Sequence, residues 1–334
     1  MTTLTSENQS AVTRFRVQCF SDKPDLQTPL FLIFLLSFLI IIIGNTSVFA
    51  TIILSVPLHK PMYVFLGSLS VLDISSASTT LPNLLAMLHT QDKTISFAGC
   101  ILQFYFFMAF AITEFILLSA MAYDRYVAIC YPLHYALRMS LKHCAKIIVG
   151  VWVAGFLDPV LHSVLIAKLS FCSSNHINHF FCDLTPLLRI SCSDTSPIEM
   201  INYIYGVIVG FSTFAITSSS YVFIMFKILN ICSSEGKKKT LSTCTSHLTC
   251  VIIFYGTMMC LYLRPTKSFS PNQDIFALLY VVLIPMLNPF IYTLKNTEFK
   301  ANVRKMSTRI NFKLLSLNCI KKPQKRFLLT MFTK

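Results

Sequence analysis

Two carboxylates, Asp73 and Glu114, and two amides, Asn45 and Asn288, each interrupt a long apolar stretch of this 334-residue chain. At 1.5 Å of rise per helical residue, Asp73 lies roughly 18 Å beyond Pro61 and Glu114 roughly 16 Å before Arg125. Asn45 lies roughly 15 Å before Ser55, and Asn288 sits somewhat lower, seven residues before Lys295. Lone charges at such depth are costly, so these groups should share protons, hydrogen bonds or a cation. Two carboxylates with amide oxygens offer hard ligands for a small cation such as Na⁺, or a place to hold a proton. A purely structural hydrogen-bond network is the plainer reading. Acid–base catalysis is disfavoured, because no His-Glu-x-x-His, Gly-x-Ser-x-Gly or paired-Asp protease motif accompanies the carboxylates. A second group, Asp124 and Arg125, arrives where the apolar stretch from Cys100 to Met121 ends. Ionisable residues at such a boundary are usually functional, and this pair reads as a switch rather than a catalyst.

The elements that must position these groups follow from composition. Hydrophobic residues make up 54% of the chain and charged residues only 13%, about half the charged share of a soluble domain. The apolar residues come in blocks, and a membrane span needs about 20 of them. Seven segments qualify, at roughly 29–55, 61–88, 100–123, 144–166, 198–230, 242–263 and 273–294. The expectation is an all-α membrane protein, a bundle of seven helices over 29–295. It is flanked by an N-terminal tail (1–28) and a C-terminal tail (296–334), with a long loop at 167–197.

Lys and Arg gather on the cytoplasmic side of helical membrane proteins. The dense clusters are Arg125–Lys146 and Lys237–Lys239, with eleven more basic residues from Lys295 onward. They place the N-terminus outside and the C-terminus inside. The net charge of +14 therefore reflects topology in a lipid bilayer rather than nucleic-acid affinity. Residues 1–28 lack the apolar core of a cleavable signal peptide, so the first span is expected to act as an uncleaved anchor. Asn8-Gln9-Ser10 is a glycosylation acceptor on the outer tail. Cys100, Cys172, Cys182 and Cys192 fall at outer span ends or in the long loop. That compartment is oxidising, so pairing is expected, with three connectivities open. Near the end of the last span, Pro289 removes a backbone donor and bends the helix. Asn288 beside it can bond groups left free, and Tyr292 follows about one turn on.

Taken together, these residues resemble the rhodopsin-like G-protein-coupled receptors and, within them, the olfactory receptors, over about residues 25 to 305. The carriers are Gly44-Asn45, Pro57-Leu58-His59-Lys60-Pro61-Met62-Tyr63, Leu69-Ser70-Val-Leu-Asp73 and Met121-Ala-Tyr-Asp-Arg-Tyr-Val-Ala-Ile-Cys130. Tyr131-Pro-Leu-His-Tyr135, Ser242-Thr-Cys-Thr-Ser-His-Leu248, Phe254-Tyr-Gly-Thr257 and Pro285-Met-Leu-Asn-Pro-Phe-Ile-Tyr292 complete the set, in order and at the right spacing. The resemblance implies disulfides Cys100–Cys182 and Cys172–Cys192, and a cation site lined by Asp73 and Glu114. It implies an inner lock at Asp124, Arg125 and Tyr126, with Pro289 and Tyr292 completing the switch. A small volatile odorant would be the ligand. A heterotrimeric G protein of the stimulatory, olfactory type would be the partner at the plasma membrane, with cyclic AMP rising in response.

An odorant pocket should be apolar with one or two polar handles. Phe107, Met108, Ala111 and Ile112 share one face of the third helix, and that face carries no acid to pair with an amine. Tyr255, Met258, Met259 and Tyr262 share a face of the sixth at i, i+3, i+4 and i+7. Similarity to the family aims both faces at the bundle centre, and Tyr205 and Val209 on the fifth helix join them. Packing or lipid contact is the bland alternative for each. Asp158 on the fourth span is assigned no role. The chain departs from the family in Val64, in Lys237-Lys-Lys-Thr-Leu before Ser242, and in a long basic tail with Cys319 and Phe327-Leu-Leu-Thr-Met-Phe332. A transporter using Asp73 and Glu114 as an ion path would need the internal repeats common in that class, and none is visible. The same fold sensing non-odorant metabolites is the nearer alternative.

Overall fold

Among the described residues, seven helices are long and apolar enough to cross a membrane. In the computed structural model, the residues described are 12–18, 24–171, 175–231, 233–262, 273–294 and 298–305. The helices are α1 (Pro24–Leu54), α2 (Pro61–Thr90), α3 (Phe97–Cys130) and α4 (Leu141–Ala167), then α5 (Ser196–Leu229) and α6 (Ser234–Tyr262). The last, α7, runs from Gln273–Leu278 through a π-turn at Leu279–Leu283 into Ile284–Leu294. Local chemistry sets several starts. Pro61 opens α2, where its missing N–H costs nothing. The Ser96 and Ser140 hydroxyls cap α3 and α4 by accepting from Gly99 N (3.1 Å) and His143 N (3.3 Å).

Several helices exceed their sequence-based bounds, the third and sixth by the most. The third continues to Cys130, so Asp124, Arg125 and Tyr126 stay on a regular helix. The sixth starts at Ser234, well before residue 242, so the Lys237–Lys239 cluster rides on its first turns. Straight-chain Lys and Glu are good helix formers, and the helix runs past the apolar segment without a break.

The N-terminal segment holds a strand that hydropathy does not reveal. Arg14–Val17 (β1) pairs antiparallel with Thr94–Ser96 (β2) and parallel with His176–Ile177 (β3). Its side chains alternate, Phe15 and Val17 inward and Arg14 and Arg16 outward. Phe15 packs edge-on against Phe171 at 5.2 Å, in a cluster with Cys100, Cys182 and Ile166. At the opposite end, residues 298–305 are helical. Glu298 there accepts from Lys60 and from Tyr63 (3.2 Å), with Phe299 buried against the Tyr63 ring.

The main core lies among α1, α2, α3, α6 and α7. Helix α3 is central, touching α2, α4 and α5 along its length. Gly155 of α4 allows its close approach, since a Cβ there would lie 3.0 Å from Thr113 Cα and Cβ.

Candidate functional site

The four mid-bundle polar groups are all buried, Asp73 at 1% and Glu114 at 2% exposure. They do not form one shared cluster of carboxylates and amides. Asn288 Nδ2 lies 3.1 and 3.0 Å from the two Asp73 oxygens, tying α7 to α2. Asn45 goes elsewhere: its Nδ2 donates to the Pro285 carbonyl (3.0 Å) and to Ile41 O (3.1 Å). The reason is covalent. Pro289 has no N–H, so Pro285 lacks its usual i+4 donor, and Asn45 supplies one from α1. Glu114 interacts electrostatically with Asp73, and its Oε1 has no hydrogen-bond partner among the described residues. Tyr280, brought inward by the π-turn of α7, packs against Phe107 (5.5 Å) and Phe254 (6.0 Å).

At the far end of α3 the Asp124 carboxylate accepts from Arg125, through Nε at 3.1 Å and Nη2, and from Tyr135 Oη at 2.9 Å. Tyr135 sits on the short helix Tyr135–Arg138, where burial and then the Asp124 charge push its phenol above the usual range. Tyr126 packs on Tyr131 and Phe223 instead of joining the carboxylate. A further link was not among the switch residues read from sequence: Tyr221 of α5 bonds His247 Nδ1 of α6 at 2.6 Å. The sequence signal for it is a lone His in an apolar span.

Toward the β1 end the bundle is lined by aromatics. Phe107 and Ala111 are buried on α3 with Ile112, and Met108 is half-buried beside them. On α6, Tyr255 and Met258 are buried, but Met259 is 48% exposed and leaves their face. Met258 and Met259 lie about 100° apart around the helix, and α6 is rotated so that Tyr255 and Met258 face the core while Met259 falls at its rim. Val209 is half-buried within a π-turn of α5, and Tyr205 is exposed while its ring packs on His162. The side chains of Tyr262 and Tyr292 lie outside what is described, as do Asn8, Cys172 and Cys319.

The long loop contributes residues the helical faces could not reveal. A Cys100–Cys182 disulfide anchors it to α3. Gln103 reinforces that anchor, its Oε1 accepting from Cys182 N (3.0 Å) and its Nε2 donating to Thr79 O (3.1 Å). Phe181, next to the bridge, is thereby held against Phe107 at 4.7 Å. His179 stacks on Phe180 and is buried, which pushes its imidazole down to about 3. A hydrogen bond to the Phe181 backbone opposes this, and the Asp274 carboxylate lies 3.4 Å from Nε2, but burial outweighs both. Phe115 and Phe214 bracket Tyr255 edge-on, at 5.3 and 5.6 Å. The pair Cys130-to-Phe223 and the Tyr105-to-Phe156 bond (2.9 Å) complete the ties of α3 to its neighbours.

The geometry is that of a helix bundle with a cluster of aromatic side chains toward one end, buried polar links in the middle and an Asp124–Arg125–Tyr135 network at the other. The family model for olfactory receptors matches residues 34–309. Mouse olfactory receptor 5AR1 (Mus musculus) is 47% identical over 301 residues, which is 90% of this chain and 97% of the relative. Human olfactory receptor 5B21 (Homo sapiens) is 45% identical over 91% of this chain and 98% of its own length. Human olfactory receptor 1C1 is 43% identical over 90% and 96%. With that match, the seven spanning helices and the loop disulfide, the chain belongs to the olfactory receptor family, multi-pass G-protein-coupled receptors of the plasma membrane rather than enzymes.

Proposed function

We propose that this receptor lies with β1 outside the cell and the Asp124–Arg125 end in the cytoplasm, and that it is switched by a small, mostly apolar odorant. The ligand would sit in the aromatic cluster of Phe107, Phe181 and Tyr255, with Tyr255 as a polar handle. Its binding would favour an active arrangement only as far as it binds that arrangement more tightly. Releasing Arg125 from Asp124, and Tyr221 from His247, would open a cleft for a stimulatory, olfactory-type G protein and raise cyclic AMP. The observation that carries this reading is the Asp124–Arg125–Tyr135 network at the base of the helix whose other end meets the aromatic cluster.

Asp73 and Glu114 fit a Na⁺ ion by their donor chemistry: both are buried oxygen donors, and Glu114 Oε1 has a free lone pair. A bound Na⁺ would supply positive charge that offsets the pair's mutual repulsion. The test of the whole reading is cyclic AMP in cells displaying the chain, challenged with a broad odorant panel beside Arg125→Ala at equal surface level. A response lost in the mutant supports it. Silence from well-displayed wild type across the panel counts against it.

A further inference from the structure

One intramembrane acid stands outside every network above. Asp158 lies nine residues before the end of α4 at Ala167, roughly 14 Å along the helix. A hydrocarbon core about 30 Å thick leaves it roughly 9 Å below the nearer boundary of this helix, too deep for a short Asp side chain to reach water. Among the described residues it has no ion pair with Lys or Arg. Its electrostatic neighbour is His162, one turn on.

His162 is only 2% exposed, and its ring nitrogens have, at most, the backbone of Asp158 within reach among the described residues. Its ring meets Tyr205 edge-on at 5.5 Å, which puts it in the seam between α4 and α5. Asp158 falls on the same flank of α4, because residues four apart on a helix are neighbours. A π-turn, Val207–Phe211, begins two residues after Tyr205, and such turns are frequent at functional sites. Buried polar groups are nearly always satisfied. A neutral imidazole has one N–H and one acceptor nitrogen, so with its N–H turned to Asp158 the pair still leaves the carboxylate and the second ring nitrogen as acceptors open to a donor.

We propose that Asp158, His162 and Tyr205 form a recognition subsite for the head group of a protonated aliphatic amine, its alkyl tail running toward Met108 and Ile112. An ammonium brings positive charge to the carboxylate and a second N–H to the neutral imidazole. Acid and amine then enter the low-dielectric seam as a net-neutral pair, which keeps the desolvation cost bearable. A carboxylate ligand would meet like charge, and an alcohol has one donor and no charge. Amines are thus preferred over alcohols and acids of the same chain length. The subsite also supplies the counter-ion that the inward face of α3 lacks. This inference rests on the odorant-binding reading but not on the choice of G protein.

The test uses the full chain, purified into lipid nanodiscs, with thermal unfolding read against hexylamine, hexanol and hexanoate. The wild type should show a concentration-dependent rise in midpoint with hexylamine, larger than with hexanol and absent with hexanoate. Asp158→Asn should weaken the apparent affinity for hexylamine by at least about tenfold, the scale of one charge-assisted hydrogen bond, and leave hexanol unchanged. His162→Phe should weaken hexylamine as well, which keeps the test alive if Asp158→Asn does not fold. Equal hexylamine shifts in wild type and both variants mean partition into lipid and overturn the subsite, as does a folded wild type without an amine shift. An amine shift without cyclic AMP defeats the signalling reading alone. Cyclic AMP with other odorants but no amine shift defeats the subsite alone.

Discussion

Replacing Asn45 by Ala should expose how much of the α1–α7 contact rests on a single missing proton. The Pro285 carbonyl has no intrahelical donor because Pro289 follows four residues on, and Asn45 Nδ2 fills that vacancy at 3.0 Å. In Asn45→Ala the carbonyl is left buried and unpaired, at about 1–3 kcal/mol. Part of any measured loss could come from packing or from the second bond to Ile41, and a double-mutant cycle removes both contributions. In Pro289→Ala the new N–H at residue 289 can donate to Pro285 within α7. Asn45→Ala made in that background should therefore cost only what packing and the Ile41 bond contribute, leaving a coupling of about 1–3 kcal/mol for the Pro285 carbonyl. Unfolding in mixed micelles of rising SDS content, followed by the single tryptophan, Trp152, gives the four free energies. Equal costs of Asn45→Ala in the two backgrounds would refute the reasoning, because the amide would then not be serving the carbonyl that Pro289 leaves bare.

Three further outcomes follow from the same geometry. His179 is pushed down to about 3 by burial, so the unfolded chain binds a proton there that the folded chain refuses. Its contribution is intact above about pH 6.5 and lost as pH falls toward 3, amounting to about 2 kcal/mol between pH 7.5 and 5. The midpoint of wild type should drop over that range, and the drop should shrink in His179→Phe; an identical slope in both would remove His179 from the account. Gly155→Ala should destabilise by about 1–3 kcal/mol, because its Cβ would meet Thr113 Cα at 3.0 Å. Thr113→Gly in the same chain should recover part of that, and a neutral Gly155→Ala in the micelle assay would show that α3 and α4 are not in close contact there. Tyr135→Phe removes the 2.9 Å bond to Asp124. At this half-exposed position it is worth about 1 kcal/mol, so ligand-free cyclic AMP at matched surface level should rise by up to about fivefold. An unchanged basal level would assign the Tyr135 ring to packing alone.

The seven spans were legible because a bilayer imposes one demand on every segment, a run of apolar residues long enough to cross it, and that demand is local. The same locality made Asp73, Glu114, Asn45 and Asn288 stand out, since each is a polar residue where none is cheap. What each of them bonds to is not local. Asp73 and Asn288 are 215 residues apart and meet as their similar depth suggested, whereas Asn45 serves a carbonyl on α7 that no count of depth distinguishes from its neighbours. Met259 shows the same limit: spacing puts it beside Tyr255, and only the rotation of α6 against the core turned it outward. Phe181 meets Phe107 because the Cys100–Cys182 bridge and Gln103 hold the loop down. The β1 strand found its partners at residues 94–96 and 176–177, far from it along the chain. Hydropathy along the chain determines which segments are buried and roughly how deep. The azimuth of each helix and the pairing of side chains depend on all seven packing at once, and that was decided only in the tertiary structure.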